Sequence, residues 1–174
     1  MTELSTVSVT SKLWISRVIR NNSLNSPVFP TVVLPASQLL MVCVSGNDIV
    51  ALPASLFESV PRLSQLRLDN NKLSVLSSRL FHPLTRLVLM DLSTNSLQAG
   101  CDSCLSRKSF KGLGSLIVLN LSRNQISSVQ PEMFSDLTNL QSLDMSANTI
   151  NRLTTGKNSI YKRKGFCRNL TTIR

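Results

Sequence analysis

The sequence is poor in the residues on which enzyme chemistry most often depends. It has one histidine, His82, and no acidic cluster lies near it. The six glycines are scattered, and none forms a Gly-rich phosphate loop after a strand. No serine stands in the sequence context of a nucleophile elbow. We therefore expect no catalytic residue, no cofactor and no enzyme activity.

Long apolar runs are also missing. No run approaches the roughly 18 residues that a membrane-spanning helix needs. The first thirty residues alternate polar and apolar side chains without the apolar region of a signal peptide. This chain is therefore expected to carry neither a signal peptide nor a transmembrane segment. Three sequons predict N-glycosylation in a secreted protein: Asn21, Asn120 and Asn169.

The four cysteines do not form a recognisable metal or redox motif. Cys101 and Cys104 form one C-x-x-C pair, while Cys43 and Cys167 are far from it in sequence. A redox pair favours a helix N-terminus in a βαβ unit, and a zinc finger needs a second ligand pair. A local disulfide or two thiols at 101 and 104 fit better, so no metal is expected.

What the sequence does contain is a repeated phrase. LNLSRNQI, residues 119–126, recurs as VCVSGNDI, LRLDNNKL, MDLSTNSL and LDMSANTI. Each fits L-x-x-L-x-L-x-x-N-x-L, with spacings of 24, 24, 29 and 24 residues between repeat starts. The five starts are Leu39, Leu63, Leu87, Leu116 and Leu140. In a chain that is 42% hydrophobic, this agreement identifies a leucine-rich repeat pattern.

The pattern predicts a solenoid. Each repeat should give one short strand and a return segment, which makes an α/β repeat solenoid, a leucine-rich-repeat horseshoe segment. Its concave side should be a parallel β-sheet, and its convex side irregular or short-helical. A second apolar stripe, Phe57, Phe81, Phe110 and Phe134, should meet the strands from the far side.

The asparagine that ends each phrase needs its own explanation, because asparagine is depleted in strands. The chain turns through the interior there, and an unpaired buried backbone group costs about 1–3 kcal/mol. An Asn amide carries donors and an acceptor, so a column of asparagines can bond neighbouring turns. This predicts a structural ladder of Asn47, Asn71, Asn95, Asn124 and Asn148.

The repeat does not cover the whole chain. Five repeats occupy 39–153, and 1–38 contains a degenerate sixth repeat in one interpretation, from the relation of Asn22 to Leu24. Terminal repeats normally need a polar cap, and none is visible, so the chain is expected to be a piece of a longer solenoid or a truncated product.

The net charge of +10 is concentrated outside the repeats. Residues 39–151 hold nine basic and eight acidic residues, whereas 152–174 hold seven basic residues and no acid. The segment 154–174 is predicted to be a solvated, disordered basic tail. The alternative is polyanion binding by heparin-like chains, nucleic acid or anionic lipid through Lys157, Lys162, Arg163, Lys164 and Arg168. KRK could also act as a nuclear localisation signal.

A narrower resemblance rests on one run. SFKGLGSLIVLNLSRNQISSVQPEMFSDLTNLQSLDMSANTI is similar to the ectodomains of Toll and Toll-like receptors, including the insect Toll branch. The 24-residue unit with its phenylalanine also resembles extracellular leucine-rich proteins of animals more generally. The resemblance covers residues 39–153. It implies ligand recognition in innate immunity, with a protein ligand or co-receptor, or another leucine-rich-repeat chain, as partner.

The predicted binding surface is the concave face, the side chains that stand between the motif leucines and point outward. Its fifth positions read Cys43, Arg67, Asp91, Asn120 and Asp144. Its apolar members are Val88, Leu89, Ile117 and Val118, and a small apolar patch rimmed by charges more often marks a protein contact. The concave candidates for ligand binding are Arg67, Val88, Leu89, Asp91, Ile117, Val118 and Asp144. The alternative for Arg67 and Asp91 is an exposed ion pair worth under about 1 kcal/mol.

The compartment follows from whether the chain is complete. As part of a longer chain it is expected to be extracellular or a receptor ectodomain. As a complete product it would be a cytoplasmic protein, and the alternative function is an intracellular leucine-rich-repeat scaffold or adaptor.

Overall fold

The computed structural model describes residues 16–18, 38–99, 105 and 108–153. Short strands separated by turns recur along this part of the chain, which contains no α-helix. The strands are β1 (Ser16–Val18), β2 (Met41–Cys43), β3 (Gln65–Arg67), β4 (Leu89–Asp91), β5 (Val118–Asn120), β6 (Ser128–Val129), β7 (Ser142–Asp144) and β8 (Arg152–Leu153). A 3-10 helix covers Pro131–Phe134.

Six strands form one parallel sheet in the order β1-β2-β3-β4-β5-β7, and β6 pairs with β8 in a second, two-stranded sheet. Equivalent repeat positions are register partners: Leu66 lies opposite Met90, and Met90 lies opposite Leu119. The predicted fold class is therefore confirmed as a parallel solenoid. In the described residues its return segments are turns and one 3-10 helix.

The core lies between the sheet and the return segments. Alternation in the strand turns every second side chain inward, and the motif residues Leu66, Leu68 and Leu73 are fully buried. The second stripe closes the core from the other side as two stacked pairs of rings. Phe57 and Phe81 have centroids 6.1 Å apart, and Phe110 and Phe134 have centroids 5.7 Å apart.

The 29-residue repeat keeps its core in spite of its extra length. Ala99 pairs with Leu105 through an isolated parallel bridge, and the Leu105 N–H donates to the Gln98 carbonyl at 2.9 Å. Leu105 is buried in the core, as Leu76 is in the preceding repeat. The extra length is therefore accommodated between Ala99 and Leu105. Cys101 and Cys104 lie outside the described residues.

Strand β1 lies where the strand of the predicted sixth repeat would lie. It pairs in parallel with β2, and Ser16 is the register partner of Met41. This is the strand position that a repeat starting at residue 14 would supply. Asn22 and Leu24 lie outside the described residues, so the sixth repeat remains a prediction.

The asparagines bond consecutive turns to each other. The Asn124 Nδ2 donates to Leu92 O in the preceding repeat at 3.0 Å and to Leu121 O in its own repeat at 3.1 Å. Its Oδ1 accepts from Leu97 N at 3.0 Å. The same three kinds of contact are made by Asn71, Asn95 and Asn148. Asn47 donates to Val44 O at 2.8 Å.

The residue before each of these asparagines has a left-handed backbone conformation, with positive φ. Gly46 has φ 69°, and the equivalent residues of the later repeats have φ 54°. Those residues are Asn70, Thr94, Arg123 and Ala147. A β-branched residue is rare in this region of backbone space. Thr94 is therefore held there by its surroundings, including Thr94 N to Ser122 O at 2.9 Å.

We expect Asn124→Ala to lower the free energy of unfolding by about 1–3 kcal/mol, because it orphans backbone groups in two turns. Asn151→Ala is the matched control, since Asn151 is exposed and a surface change of this kind costs under about 0.5 kcal/mol. Urea midpoints measure both. Equal losses of stability in the two variants would show that the Asn124 side chain does not stabilise the fold by bonding two turns.

Thr94→Gly should raise the free energy of unfolding by about 1 kcal/mol, because relief of left-handed strain exceeds the added chain entropy of glycine. Thr85→Gly is the control. Thr85 is exposed in a turn with negative φ, so only the entropy term applies and stability should fall by about 0.4–1 kcal/mol. Thermal unfolding that shifts both variants in the same direction would rule out the strain.

Candidate functional site

The concave face is divided along the strand direction. Toward the start of the strands it is apolar, with Val88, Leu89, Ile117 and Val118. Leu89 and Val118 are register partners on adjacent strands, and Val88 and Ile117 immediately precede them. Val88 is 37% exposed and the other three are half-buried. The four residues therefore form one patch, called here the apolar patch.

Toward the end of the strands the same face is polar. Asp91 and Asn120 are register partners, and Asn120 is in turn the partner of Asp144 on β7. All three side chains are half-buried. A row of hydrogen-bonding groups thus borders the apolar patch across three strands.

These polar side chains are held by serines two residues later. Asn120 Oδ1 accepts from Ser122 N at 3.0 Å and from Ser122 Oγ at 2.8 Å. Asp91 makes the same two contacts with Ser93, at 3.0 and 2.7 Å. In the last repeat the carboxylate of Asp144 accepts from Ser146 N at 2.9 Å. The outward register alone did not predict this row; its sequence signal is Asp or Asn followed two residues later by Ser at the end of a strand, the pattern of such a turn.

The outward register alone suggested that Asn120 is an ordinary surface residue, but its contacts show otherwise. Its side-chain oxygen is engaged twice, and Ser122 is buried. A local bond of this kind needs little side-chain ordering, which is why it forms at the end of a strand.

The alternative of an ion pair between Arg67 and Asp91 is wrong. The two residues are register partners, but the Asp91 carboxylate bonds Ser93 instead. Arg67 is half-buried, and its Nε is enclosed without a hydrogen-bond partner. Holding a long Arg side chain in one geometry costs more entropy than bonding a serine two residues away.

Cys43 has the outward register but is not exposed. Its exposed fraction is 0%, and its Sγ lies 3.2 Å from Ser45 Oγ. Ser45 donates onward to Asp69 Oδ1 at 2.6 Å. The thiol is short and its register partner, Arg67, is much longer, so the first concave position contributes packing and not accessible surface.

Other exposed features lie away from this face. Val50 and Val75 are 50% and 40% exposed and follow the turns after β2 and β3. In the part of the chain that is described, the one ion pair joins Lys72 Nζ to Asp48 Oδ1 at 2.8 Å. His82 is exposed in a return segment. Among the described residues no three His, Cys, Asp or Glu side chains are grouped so as to hold a metal ion.

Several predicted sites fall outside the described residues. They are the sequons at Asn21 and Asn169, Cys167, and the tail residues Lys157, Lys162, Arg163, Lys164 and Arg168. Within the described ranges, no helix has the length and apolar character to cross a membrane.

The repeats, the register and the asparagine contacts define a class of protein. The chain belongs to the leucine-rich repeat family, since the family model described as "Leucine rich repeat" matches residues 37–97 and 104–150. Leucine-rich repeat families are generally non-catalytic binding modules.

Similar proteins include keratocan and vasorin. Keratocan of Gallus gallus is 32% identical over 120 residues, which are 69% of this chain and 32% of the relative. Vasorin of Mus musculus is 33% identical over 137 residues, which are 78% of this chain and 19% of the relative. The chain thus spans about a third or less of these curated relatives, which are extracellular proteins.

Solved structures show the same fold. The Toll chain of the Drosophila Toll–Spätzle complex matches with a TM-score of 0.65 and 26% identity, over 74% of this chain and 16% of that one. The leucine-rich repeat domain of APL1B matches with a TM-score of 0.55 and 28% identity, over 82% and 38%. The leucine-rich repeat prediction is therefore confirmed. The chain is similar to both Toll and keratocan, so these similarities do not single out Toll.

Asn120→Ala should lower the free energy of unfolding by about 1 kcal/mol, since it removes the acceptor of two hydrogen bonds from Ser122. Gln141→Ala, at an exposed concave position, should change it by less than about 0.5 kcal/mol. Urea unfolding of both variants checks this. A loss at Asn120 no larger than at Gln141 would show that the row is not stabilising.

Proposed function

We propose that this chain is a non-catalytic protein-interaction segment of an extracellular leucine-rich-repeat protein, and that its concave face binds a protein ligand. The observation that carries the proposal is the apolar patch with its polar border. Protein interfaces combine an apolar centre with a hydrogen-bonding rim. Val88 and Ile117 supply the centre here, and Asp91, Asn120 and Asp144 supply the rim.

The fixed geometry of the rim supports this assignment. The Asp91 and Asn120 side chains are held by serines, so little of their rotamer freedom would be lost on binding. Loss of side-chain freedom is one of the main costs of association. A pre-arranged rim beside an apolar patch therefore favours binding of a partner with a matching surface. Arg67, half-buried beside this border, is a further contact in the proposal.

A narrower proposal is that the segment belongs to a Toll-like pattern-recognition receptor of innate immunity. The likeness to Toll in the Toll–Spätzle complex supports it. The partner would then be a protein ligand, a co-receptor or another leucine-rich-repeat chain. Keratocan and vasorin equally support an extracellular protein of another kind. An intracellular scaffold is the rival function, and the relatives described above do not favour it.

Substitution of the patch tests the main proposal. The chain is displayed from secreting cells behind a signal peptide and screened against a panel of purified extracellular proteins. For any protein bound, Val88→Asp and Ile117→Asp should each weaken binding by about tenfold or more, because a charge is buried in the interface.

The matched control is Val50→Asp, an exposed valine at the edge of the solenoid, which should leave binding unchanged. Equal loss in the control, or no loss in either patch variant, would remove the concave face as the binding site. Urea midpoints of all three variants separate binding from folding.

Whether Asn120 is glycosylated decides whether the ligand can bind the concave face or must bind a lateral edge of the solenoid. Its Oδ1 is engaged with Ser122, and Nδ2 is the atom that would carry a glycan in a secreted chain. If a glycan is present there, it would cover Asp91 and Asp144. Ligand contact would then shift to a lateral edge, such as the insertion from Cys101 to Lys108 or the return segments. Enzymatic deglycosylation in heavy-oxygen water should convert Asn120 to labelled aspartate. Unlabelled Asn120 from secreted protein would keep the concave face as the binding site.

A further inference from the structure

Two neighbouring return segments, residues 76–86 and 105–115, carry basic side chains and no acidic residue. Five of these side chains are described, and all are exposed. They are Arg79, His82, Arg86, Lys108 and Lys111, called here the convex basic patch. The near-equal numbers of basic and acidic residues in 39–151 conceal this local excess of positive charge, because the acidic residues lie outside the two segments.

The two segments are in contact across the convex side. A methyl group placed on Gly112 would lie 3.3 Å from His82 Cδ2. Arg79 and Lys108 each stand two residues before a core phenylalanine, and His82 and Lys111 each stand one residue after it. Equivalent positions of stacked repeats lie side by side. The basic residues therefore form one surface and not separate charges.

Basic side chains outnumber acidic ones on and beside this surface in the described part of the chain. The ion pair found there joins Lys72 and Asp48, which lie outside these two segments. The side chains of Arg79, Arg86 and Lys111 make no hydrogen bond or ion pair among the described residues. One acid of the next repeat borders the patch, because Asp136 Oδ2 accepts from Gly112 N at 3.1 Å. The other return-segment acids of the flanking repeats are Glu58 and Glu132. Clustered like charge raises the local concentration of anions.

The surroundings of the patch indicate what kind of anion it binds. The large apolar residues that are exposed, Val50, Val75 and Val88, lie outside both segments, so the patch lacks the apolar anchors of a protein interface. Phe81 and Phe110 are buried, so their rings cannot stack on the bases of a single-stranded nucleic acid.

We propose that the convex basic patch binds a sulfated polysaccharide, through contacts of Arg79, Arg86 and Lys111 with its sulfate groups. Sulfate esters stay charged at physiological pH, and a flexible polyanion can follow point charges on a convex surface without an apolar centre. This site is separate from the concave face, so both can be occupied together.

The test uses the full chain and a low-molecular-weight heparin as probe, with affinity measured over a series of salt concentrations. The combined substitution Arg79→Gln, Arg86→Gln and Lys111→Gln should weaken binding by about tenfold. The slope of log affinity against log salt should decrease in magnitude by roughly two, because fewer counterions are released. Replacing Arg79 and Arg86 by Lys should keep most of the affinity and the slope.

The matched control, Arg62→Gln, Lys72→Gln and Arg123→Gln, removes three exposed basic side chains elsewhere. It should change the affinity by no more than about twofold. Equal weakening in both triple variants would overturn the proposal, because net charge alone would then explain binding. So would a loss caused only by neutralising the tail at Lys157, Lys162, Arg163, Lys164 and Arg168.

Two further probes of matched charge compare the polyanion classes. Tighter binding of polyglutamate would assign the patch to an acidic protein segment, and tighter binding of oligothymidylate would assign it to nucleic acid; either result overturns the polysaccharide. If the urea midpoint of the triple variant is lower than that of the unmodified chain, a double variant replaces it. Heparin affinity of Arg79→Gln with Lys111→Gln is then compared with that of Arg62→Gln with Arg123→Gln by the same criteria.

Discussion

The rest of this fold depends on one constraint, the satisfaction of backbone groups where the chain turns through an apolar interior. A turn between a strand and its return segment directs carbonyl and N–H groups inward, and an unpaired group there costs about 1–3 kcal/mol. The asparagine amide is short enough to stay inside the turn and has both donors and an acceptor. In Asn95, for example, Nδ2 reaches Leu68 O of the preceding repeat at 3.0 Å, and Oδ1 accepts from Leu73 N at 2.9 Å. Each turn is therefore fixed by its neighbour, which keeps the strands in register.

That arrangement constrains the inward positions and leaves the outward positions free to vary. The inward positions are filled by leucines and asparagines, whereas the outward positions vary from repeat to repeat. Their variation produces two unlike surfaces, an apolar patch with a polar border on the sheet and a basic area on the return segments. The backbone conformation before the ladder is part of the same arrangement. It keeps φ at 54° for residues as different as Thr94 and Arg123, which shows that the turn and not the side chain determines it.

The periodicity of the sequence was sufficient to predict the sheet, its parallel order and its core, because each inward leucine has one chemical requirement. Outward register was a weaker guide. It placed Cys43 on the surface, although burial depends on what lies beside a short thiol and not on register alone. It also allowed a pair between Arg67 and Asp91 as an alternative, but a serine two residues away competes more favourably for the carboxylate. The row formed by Asp91, Asn120 and Asp144 was encoded locally in [DN]-x-S, and reading the strands only as alternation concealed it.

Native-state hydrogen exchange of four backbone amides tests the central role of the asparagine contacts most directly. The N–H groups of Ile49, Leu73, Leu97 and Ile126 each donate to an asparagine Oδ1 of the next repeat. If those contacts hold the turns together, these amides exchange only through global unfolding, with the same free energy as amides within the sheet. Exchange through local opening at a much lower free energy, while the sheet amides stay protected, would contradict the account.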